Sequence, residues 1–258
     1  MILNNFIFFK KIVHKYLGVD LEMSDETRNI GKMNNFLKSL NITNNLEEYY
    51  RALTTDEEKE EFKKNLIDIV TINETSFFRD KIPFEYIRSL LDGKTKLDVL
   101  SIPCSFGQEV YSLAILFEEN NFKSYQIYGV DISSEVVDYA RRGQYNTFEI
   151  SRGISEDMQN KYFIKDEKKF DVSPKIRSKV SFSVGSVLDR NVFINSVDLI
   201  LCRNLLIYFN DKTRETVILN LLNSLKKGGK LILGGGERVS HPSLLVEYYS
   251  GMPVYTKI

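Results

Sequence analysis

The sequence predicts an α/β fold, in which a parallel β-sheet is covered by helices and preceded by a small all-helical segment. Residues 2–70 have helical periodicity without strand-like alternation. After residue 93, apolar runs alternate with helical stretches, a pattern typical of strands that pair in parallel. The chain has 258 residues, which is enough for one large α/β domain with a smaller companion.

Turn signals divide the N-terminal segment into several helices. They fall at Gly18–Asp20, at Asn41–Asn45 and near Thr54–Thr55. The apolar start, Met1 to Val13, is too short to span a bilayer and lacks the residue order of a signal peptide, so we expect a docked helix. The charges of Asp56–Lys64 could serve a nucleic acid or a partner, but mixed charge at this spacing usually forms a solvated helix face, which we expect here.

The second part of the chain contains the predicted sheet. The predicted strands are Lys96–Ile102, Gln126–Val130, Val197–Cys202 and Lys230–Gly234, and the predicted helices are Gln108–Glu119, Ser133–Arg142 and about Lys212–Leu225, ending at Gly228–Gly229. Two apolar runs near the end, Val246–Tyr249 and Pro253–Ile258, predict a closing hairpin. Between these elements, Tyr162–Ile164 and Phe170–Val172 flank a polar turn and predict a small inserted hairpin.

Composition excludes several classes of function. Lys and Arg together number 35, as do Asp and Glu, so no net field draws the protein to nucleic acid. Cys104 and Cys202 have neither disulfide nor zinc spacing, and the only histidines are His14 and His241, so we expect no metal site. A cytoplasmic setting follows from this cysteine usage.

Two features predict a nucleoside cofactor at the carboxyl edge of the sheet. The loop Ser101–Gly107 follows the first predicted strand, although such loops are equally often structural. Asp131 follows the second strand, where a carboxylate can accept hydrogen bonds from ribose hydroxyls or cap a helix. The loop lacks the GxGxxG pattern that a pyrophosphate needs. Because S-adenosylmethionine has no phosphate, the pattern favours this cofactor over NAD.

Five sequence blocks occur in a specific order along the chain. They are Asn73-Glu-Thr-Ser-Phe-Phe-Arg79, Cys104-Ser-Phe-Gly-Gln-Glu-Val-Tyr-Ser112, Gly129-Val-Asp131, Cys202-Arg-Asn-Leu-Leu-Ile-Tyr-Phe209 and Gly234-Gly-Gly-Glu237. The chain thereby resembles the chemotaxis receptor methyltransferases (CheR) over nearly its whole length. The resemblance implies a Rossmann-like methyltransferase sheet at 72–258, a helical N-terminal domain at 1–71 and an inserted β-hairpin subdomain at about 145–180.

The resemblance also implies roles for individual residues. Arg79 and Tyr208 would be catalytic, with the Tyr208 hydroxyl close to the transferring methyl group. The cofactor contacts would come from Asn73, Thr75, Arg79, Cys104, Glu109, Asp131, Ser186, Val187, Arg203 and Asn204. Several residues of these blocks also have a purely structural interpretation. Phe77–Phe78 and Ile207–Phe209 can belong to the core, and Arg79 can be a surface arginine. Both cysteines can be small buried apolar residues instead of redox partners.

The sequence departs from the family at three places. Phe106 and Gln108 replace a Thr and a Glu in the first loop, and Ser186 replaces an Asn that contacts adenine. The N-terminal helix that is rich in Arg in relatives has only Arg28, Lys32 and Lys38 here. The turn of the inserted hairpin is charged and lacks glycine, unlike the extension with which some relatives bind a receptor tail, so we expect no such tether.

The implied function is methyl transfer from S-adenosylmethionine to glutamate carboxylates of chemotaxis receptors, with S-adenosylhomocysteine as product. The expected partner is the cytoplasmic domain of transmembrane receptors, without nucleic acid or membrane insertion, and the expected state is a monomer. Two alternatives remain open: a methyltransferase for RNA or a small molecule, and a non-catalytic receptor module that binds the cofactor.

Overall fold

The computed structural model describes residues 2–21, 26–190 and 196–258. The chain divides into two compact units. The first comprises Met1–Ile72 together with Leu206–Val217, and the second comprises Asn73–Leu205 together with Ile218–Ile258. Each unit therefore takes its residues from two separate stretches of the chain.

The N-terminal part of the first unit is helical, as the periodicity predicts. Its helices are α1 (Ile2–Leu17), α2 (Glu26–Ser39), α3 (Leu46–Ala52) and α4 (Asp56–Val70). Asn45 caps α3 by accepting hydrogen bonds from the N–H groups of Glu47 and Glu48. Thr55 and Glu58 form a capping box at the start of α4. These caps satisfy the free N–H groups where the turn signals predict a break.

Aromatic side chains form the core of these helices. The ring centroids of Phe9 and Phe36 lie 5.8 Å apart, and those of Phe36 and Phe62 lie 5.0 Å apart. The charged residues that begin α4 are exposed whereas Phe62 is buried, which is the solvated face expected from the charge spacing. In the described ranges of the chain, no helix is long and apolar enough to cross a membrane.

A seven-stranded sheet forms the centre of the second unit. The strands described are β1 (Leu97–Ser101), β2 (Tyr125–Asp131), β3 (Gln144–Asn146), β4 (Phe163–Asp166), β5 (Lys169–Val172), β6 (Val180–Val184), β7 (Val197–Cys202), β8 (Leu225–Leu233), β9 (Leu244–Tyr249) and β10 (Met252–Lys257). The large sheet has the order β6-β2-β1-β7-β8-β10-β9. Its first five strands pair in parallel, whereas β10 is antiparallel to β8 and β9. The predicted parallel sheet with a closing hairpin is confirmed.

Helices precede and connect these strands. They are α5 (Lys81–Leu90), α6 (Gln108–Glu119), α7 (Ser134–Arg142), α8 (Thr147–Ser151), α9 (Glu156–Tyr162), α10 (Pro174–Arg177) and the second half of α11 (Asp211–Ser224). α6 has the predicted bounds, and α7 starts one residue after its N-cap Ser133. Because β6, β2, β1, β7 and β8 run in parallel, the loops after their carboxyl ends meet at one edge of the sheet.

The predicted sheet lacks one strand and misplaces one helix end. Strand β6 was not predicted, because it is an edge strand with two serines and mostly exposed side chains rather than an apolar run. The predicted helix end at Gly228–Gly229 is also wrong, since α11 ends at Ser224 and β8 already begins at Leu225. The pairing of β7 with β8 shifts register between Val197 and Leu199, so the glycines lie within an irregular strand instead of a helix–strand turn.

The inserted hairpin is confirmed as β4 and β5, and it belongs to a separate three-stranded antiparallel sheet of order β3-β5-β4. The third strand was missed because β3 has only three residues and a single buried side chain, Tyr145. The Tyr145 hydroxyl donates a hydrogen bond to the Phe106 carbonyl at 2.7 Å. The small sheet is therefore joined to the loop that follows β1.

A late stretch of chain, Leu206–Val217, completes the first unit. It contains a short 3-10 helix, Leu206–Tyr208, and the first half of α11. The N–H of Asp20 donates to the Tyr208 carbonyl at 2.9 Å. Asn210 accepts a hydrogen bond from the N–H of Thr213 at 3.0 Å and so caps α11.

Candidate functional site

The loop after β1 turns sharply into α6. Its last residue, Gly107, has a φ of 86° and stands at the N-cap of α6. A Cβ atom there would lie 2.8 Å from the Ala140 Cβ, so both the backbone angle and the space require glycine. The N-terminus of α6 therefore lies directly beside this loop. A helix N-terminus is a suitable place for an anionic group of a ligand.

Asp131 joins the ends of two neighbouring strands. It is 3% exposed; one carboxylate oxygen accepts the Ser105 N–H at 2.8 Å and the other accepts the Ser133 N–H at 3.1 Å. Burial raises the pKa of this carboxyl, and backbone N–H bonds oppose the rise. The N-cap residue of α7 is Ser133, so Asp131 braces the loop after β1 instead of capping the helix directly. With a further backbone bond from Ile132, three of about four acceptor sites are used, so the carboxylate keeps capacity for a ligand hydroxyl.

An ionic network centred on the buried Arg203 joins three further segments of the chain. The Arg203 guanidinium, with its side chain 5% exposed, contacts Glu109 at 2.6 Å and Asp80 at 2.5 Å. It also donates to the Arg79 carbonyl at 3.0 Å. Glu109 accepts a second hydrogen bond from the Ser101 hydroxyl at 2.8 Å. The structure thus brings together Arg203, Glu109 and the backbone of Arg79.

Asp80 was missed by sequence reasoning. It stands at the N-cap position of α5 with a φ of 61°, and its side chain pairs with Arg203 instead of capping the helix. The only sequence signal is its place directly after the Asn73–Arg79 block.

The block Asn73–Arg79 lies against the loop after β1 and against α6. The Asn73 carbonyl accepts a hydrogen bond from the Ser105 hydroxyl at 3.2 Å, and the Phe78 N–H donates to the Ser112 hydroxyl at 2.9 Å. Thr75 is half-buried. The Arg79 guanidinium, also half-buried, donates to the Glu74 carbonyl at 2.8 Å.

The other residues of this unit that are predicted to contact the cofactor lie just after the ends of β6 and β1. The N–H of Gly185 donates to the Asp131 carbonyl, which places the Ser186–Val187 pair after β6 and next to β2. The Ser186 hydroxyl accepts the Leu188 N–H, and the Val187 carbonyl accepts the Asn220 amide. Cys104, 1% exposed, follows β1, and its N–H donates to the Val130 carbonyl.

Tyr208 does not belong to the same compact unit as Arg79. It lies in Leu206–Val217, which is grouped with the N-terminal helices, and its side chain is half-buried. Of the neighbouring apolar residues, Phe209 is core whereas Ile207 is 47% exposed. The catalytic role of Tyr208 therefore stays a prediction.

Residues 73–252 match the family described as "CheR methyltransferase, SAM binding domain". The chain belongs to the CheR methyltransferase family. It is 30% identical to chemotaxis protein methyltransferase 1 of Pseudomonas aeruginosa over 252 residues, covering 92% of this chain and 91% of that protein. It is also 30% identical to chemotaxis protein methyltransferases of Listeria monocytogenes, over 93% and 92% of the two chains, and of Campylobacter jejuni, over 98% and 94%.

The residues at this edge fit S-adenosylmethionine, the cofactor of the CheR methyltransferases. Among the described residues, the Gln108 Oε1 and Arg203 Nε atoms are buried without a hydrogen-bond partner. One is an acceptor and the other a donor, and the methionyl part of the cofactor carries an ammonium and a carboxylate that match them. The protein is an S-adenosylmethionine-dependent methyltransferase, and Asn73, Thr75, Glu109, Asp131 and Arg203 are the candidates to hold the cofactor.

Both thiols of this CheR chain are expected to resist alkylation. Burial raises the pKa of the Cys104 and Cys202 thiols well above the usual value, so each stays protonated at pH 8, and the protonated form is a poor nucleophile. Mass spectrometry after treatment with iodoacetamide at pH 8 should find no adduct on the folded protein and two on the unfolded protein. Rapid labelling of the folded protein would instead support a redox role.

Proposed function

We propose that this protein transfers methyl groups from S-adenosylmethionine to glutamate side chains on the cytoplasmic domains of chemotaxis receptors, producing glutamate methyl esters and S-adenosylhomocysteine. The observation that carries the proposal is the similarity to chemotaxis methyltransferases over more than nine-tenths of both chains. The family match over residues 73–252 supports it independently.

The proposed reaction needs alignment more than proton transfer. A glutamate carboxylate has an ordinary pKa near ~4.3, so it is already an anionic nucleophile at neutral pH. A bond forms between its oxygen and the methyl carbon while the carbon–sulfur bond breaks, and the electron pair stays on sulfur. No proton moves, so no general base is required. Alignment of two reactants can contribute roughly 7–11 kcal/mol, and exclusion of water adds to it.

In this proposal the buried groups fix the cofactor and the less buried groups meet the substrate. Asp131 would accept a hydrogen bond from a ribose hydroxyl through its remaining acceptor capacity, and Ser186–Val187 would lie against the base. Glu109 and Arg203 are held by their mutual ion pair, so their orientation is set before the cofactor binds. Arg79 would use the N–H groups that its bond to the Glu74 carbonyl leaves free.

Receptor docking by the N-terminal unit is part of the proposal. The Lys32 ammonium is turned to the Val70 carbonyl, and burial followed by the nearby charge of Arg28 lowers the pKa of Lys32. This half-buried ammonium already has a backbone acceptor, so it is less available to a partner than its place on α2 suggests. The contact fits a docking surface less basic than that of Arg-rich relatives.

The decisive experiment combines the protein with S-adenosylmethionine labelled in its methyl group and with receptor-containing membranes. We expect label on the receptor that is released by mild base as methanol, since carboxyl methyl esters hydrolyse whereas N-methyl groups do not. Membranes without receptor are the control. Base-stable label, label on RNA, or cofactor binding without turnover would each contradict the proposal.

Asp131→Ala is expected to weaken cofactor binding. The variant removes a carboxylate that serves the ligand and also braces the loop at Ser105. Loss of hydrogen bonds to a charged acceptor, at about 1.5–3 kcal/mol each, predicts a rise in Kd for S-adenosylhomocysteine of at least about tenfold by calorimetry. Asp138→Ala, an exposed position on α7, is the matched control. An unchanged Kd would leave Asp131 with a structural role only.

Tyr208→Phe is expected to lower turnover while the affinity for S-adenosylhomocysteine stays within about twofold. The variant removes only a hydroxyl, so it tests orientation of the methyl group or substrate without altering the ring. Initial rates with receptor membranes measure turnover, and calorimetry on the same preparation measures the Kd for S-adenosylhomocysteine. Full activity of Tyr208→Phe would remove this residue from the catalytic assignment.

A further inference from the structure

Glu237 is a buried acidic residue for which the sequence motif assigns no task. It is 4% exposed and lies after β8. One carboxylate oxygen accepts the Asn204 N–H at 2.9 Å and the Gly234 N–H at 2.7 Å. Because Asn204 follows β7 and Gly234 follows β8, a single oxygen joins the ends of two adjacent parallel strands.

The contact fixes a residue in an unfavourable backbone conformation. Asn204 has a φ of 58°, in the left-handed region, which asparagine tolerates better than most residues but which is still uncommon outside glycine. Such a conformation persists only where the surroundings hold it. The charge-assisted bond from the Asn204 N–H to Glu237 is a suitable restraint, and the residue before Asn204 is Arg203, the buried centre of the ionic network.

Gly234 lets the carboxylate come this close. A Cβ atom on Gly234 would lie 2.7 Å from the Glu237 oxygen and 2.8 Å from the Asn204 nitrogen, so any side chain there would displace one of them. The Glu237 N–H in turn donates to the Gly234 carbonyl at 2.9 Å. The Gly234–Glu237 turn is therefore shaped around the carboxylate.

A second observation places the carboxylate beside the site. The Glu109 carboxylate contacts the Arg203 guanidinium at 2.6 Å, and Glu237 accepts the N–H of the next residue, Asn204, at 2.9 Å. Cys202 is the last residue of β7, directly before Arg203. Glu237 and Glu109 therefore both lie near the end of this strand.

We propose that Glu237 is a positioning residue of the cofactor site: it ties the ends of β7 and β8 together and holds Arg203 and Asn204 in the geometry that binds S-adenosylmethionine. It acts through the backbone and contacts neither cofactor nor substrate. The inference rests on the cofactor contacts assigned under the proposed function, but it does not depend on the identity of the methylated receptor.

The test is a graded series of variants measured for binding of S-adenosylhomocysteine by calorimetry, with thermal unfolding followed in parallel. Glu237→Gln keeps an oxygen that can accept both N–H groups, and its Kd should rise less than about threefold. Glu237→Asp is shorter by one methylene and Glu237→Ala has no acceptor, and both should raise Kd by about tenfold or more at temperatures where they remain folded. Glu247→Ala, an exposed glutamate on β9, should bind as the wild type does.

The relative Kd values of the three Glu237 variants decide whether the inference holds. Wild-type Kd for folded Glu237→Asp and Glu237→Ala would overturn it, as would a loss in Glu237→Gln as large as that in Glu237→Asp. If Glu237→Ala does not fold, the comparison of Gln with Asp still decides. Binding is measured without receptor, so absence of receptor methylation would contradict the proposed function and leave this result unaffected.

Discussion

Arg203→Ala is expected to destabilise the second unit by about 3–5 kcal/mol and to abolish cofactor binding, because it leaves the Glu109 carboxylate buried without its cation. For a domain of this size, that loss corresponds to a fall in unfolding temperature of roughly 6–20 °C. Calorimetric titration with S-adenosylhomocysteine and thermal unfolding measure the two effects. Arg88→Ala removes an exposed arginine from α5 and should change neither.

Two further variants separate stability from function at this position. Arg203→Lys keeps a positive charge but loses the planar fork that contacts Glu109, Asp80 and the Arg79 carbonyl together, so recovery should be partial. The double variant Arg203→Met with Glu109→Gln removes both charges and should recover most of the stability but no binding. Recovered binding in the double variant would show that the ion pair is only structural.

Arg79→Ala is expected to lower kcat/KM by about 10- to 150-fold while the protein stays folded. The guanidinium should make charge-assisted bonds to a carboxylate of the cofactor or of the incoming glutamate, each contributing roughly 1.5–3 kcal/mol. In the structure its side chain is half-buried and donates only to the Glu74 carbonyl among the contacts seen, so little stability should be lost. Initial rates with receptor membranes measure the effect.

Arg79→Lys is the informative companion. Lysine retains the charge but presents no bidentate fork, so activity should lie between those of the alanine variant and the wild type. Arg88→Ala again serves as the matched control. If Arg79→Ala lowers the unfolding temperature while activity per folded molecule is unchanged, Arg79 is a structural residue and the catalytic assignment is wrong.

Local patterns predict the buried strands of this fold well. Strands β1, β2 and β7 are apolar runs, and α6 and α7 show clear helical periodicity, so their positions follow from short windows of sequence. Strands β3 and β6 were missed because one is very short and the other is an exposed edge, and neither produces a buried face that a window can detect.

The site was predicted less completely because its bonds are non-local. Arg203 pairs with Asp80 across more than a hundred residues, and Glu237 holds the backbone of Asn204 from the next strand. Hydrogen bonds to backbone carbonyls and left-handed backbone conformations do not require a particular side chain. The spacing of residue types in the sequence therefore does not indicate them. The sequence blocks after Arg79 lie at the ends of β1, β2, β7 and β8, whereas the partners within and between these segments required the fold.

The first unit consists of two separate stretches of chain, so it cannot be exchanged between genes as one continuous segment. The N-terminal helices are grouped with Leu206–Val217, and the Asp20 N–H donates to the Tyr208 carbonyl across that gap. A recombination event near residue 72 would therefore transplant only part of this compact unit, and the incoming helices would be joined to a foreign 206–217 segment. We expect these two stretches to co-evolve, with replacements around Asp20 matched by replacements around Tyr208, so that lineages exchange them together or not at all.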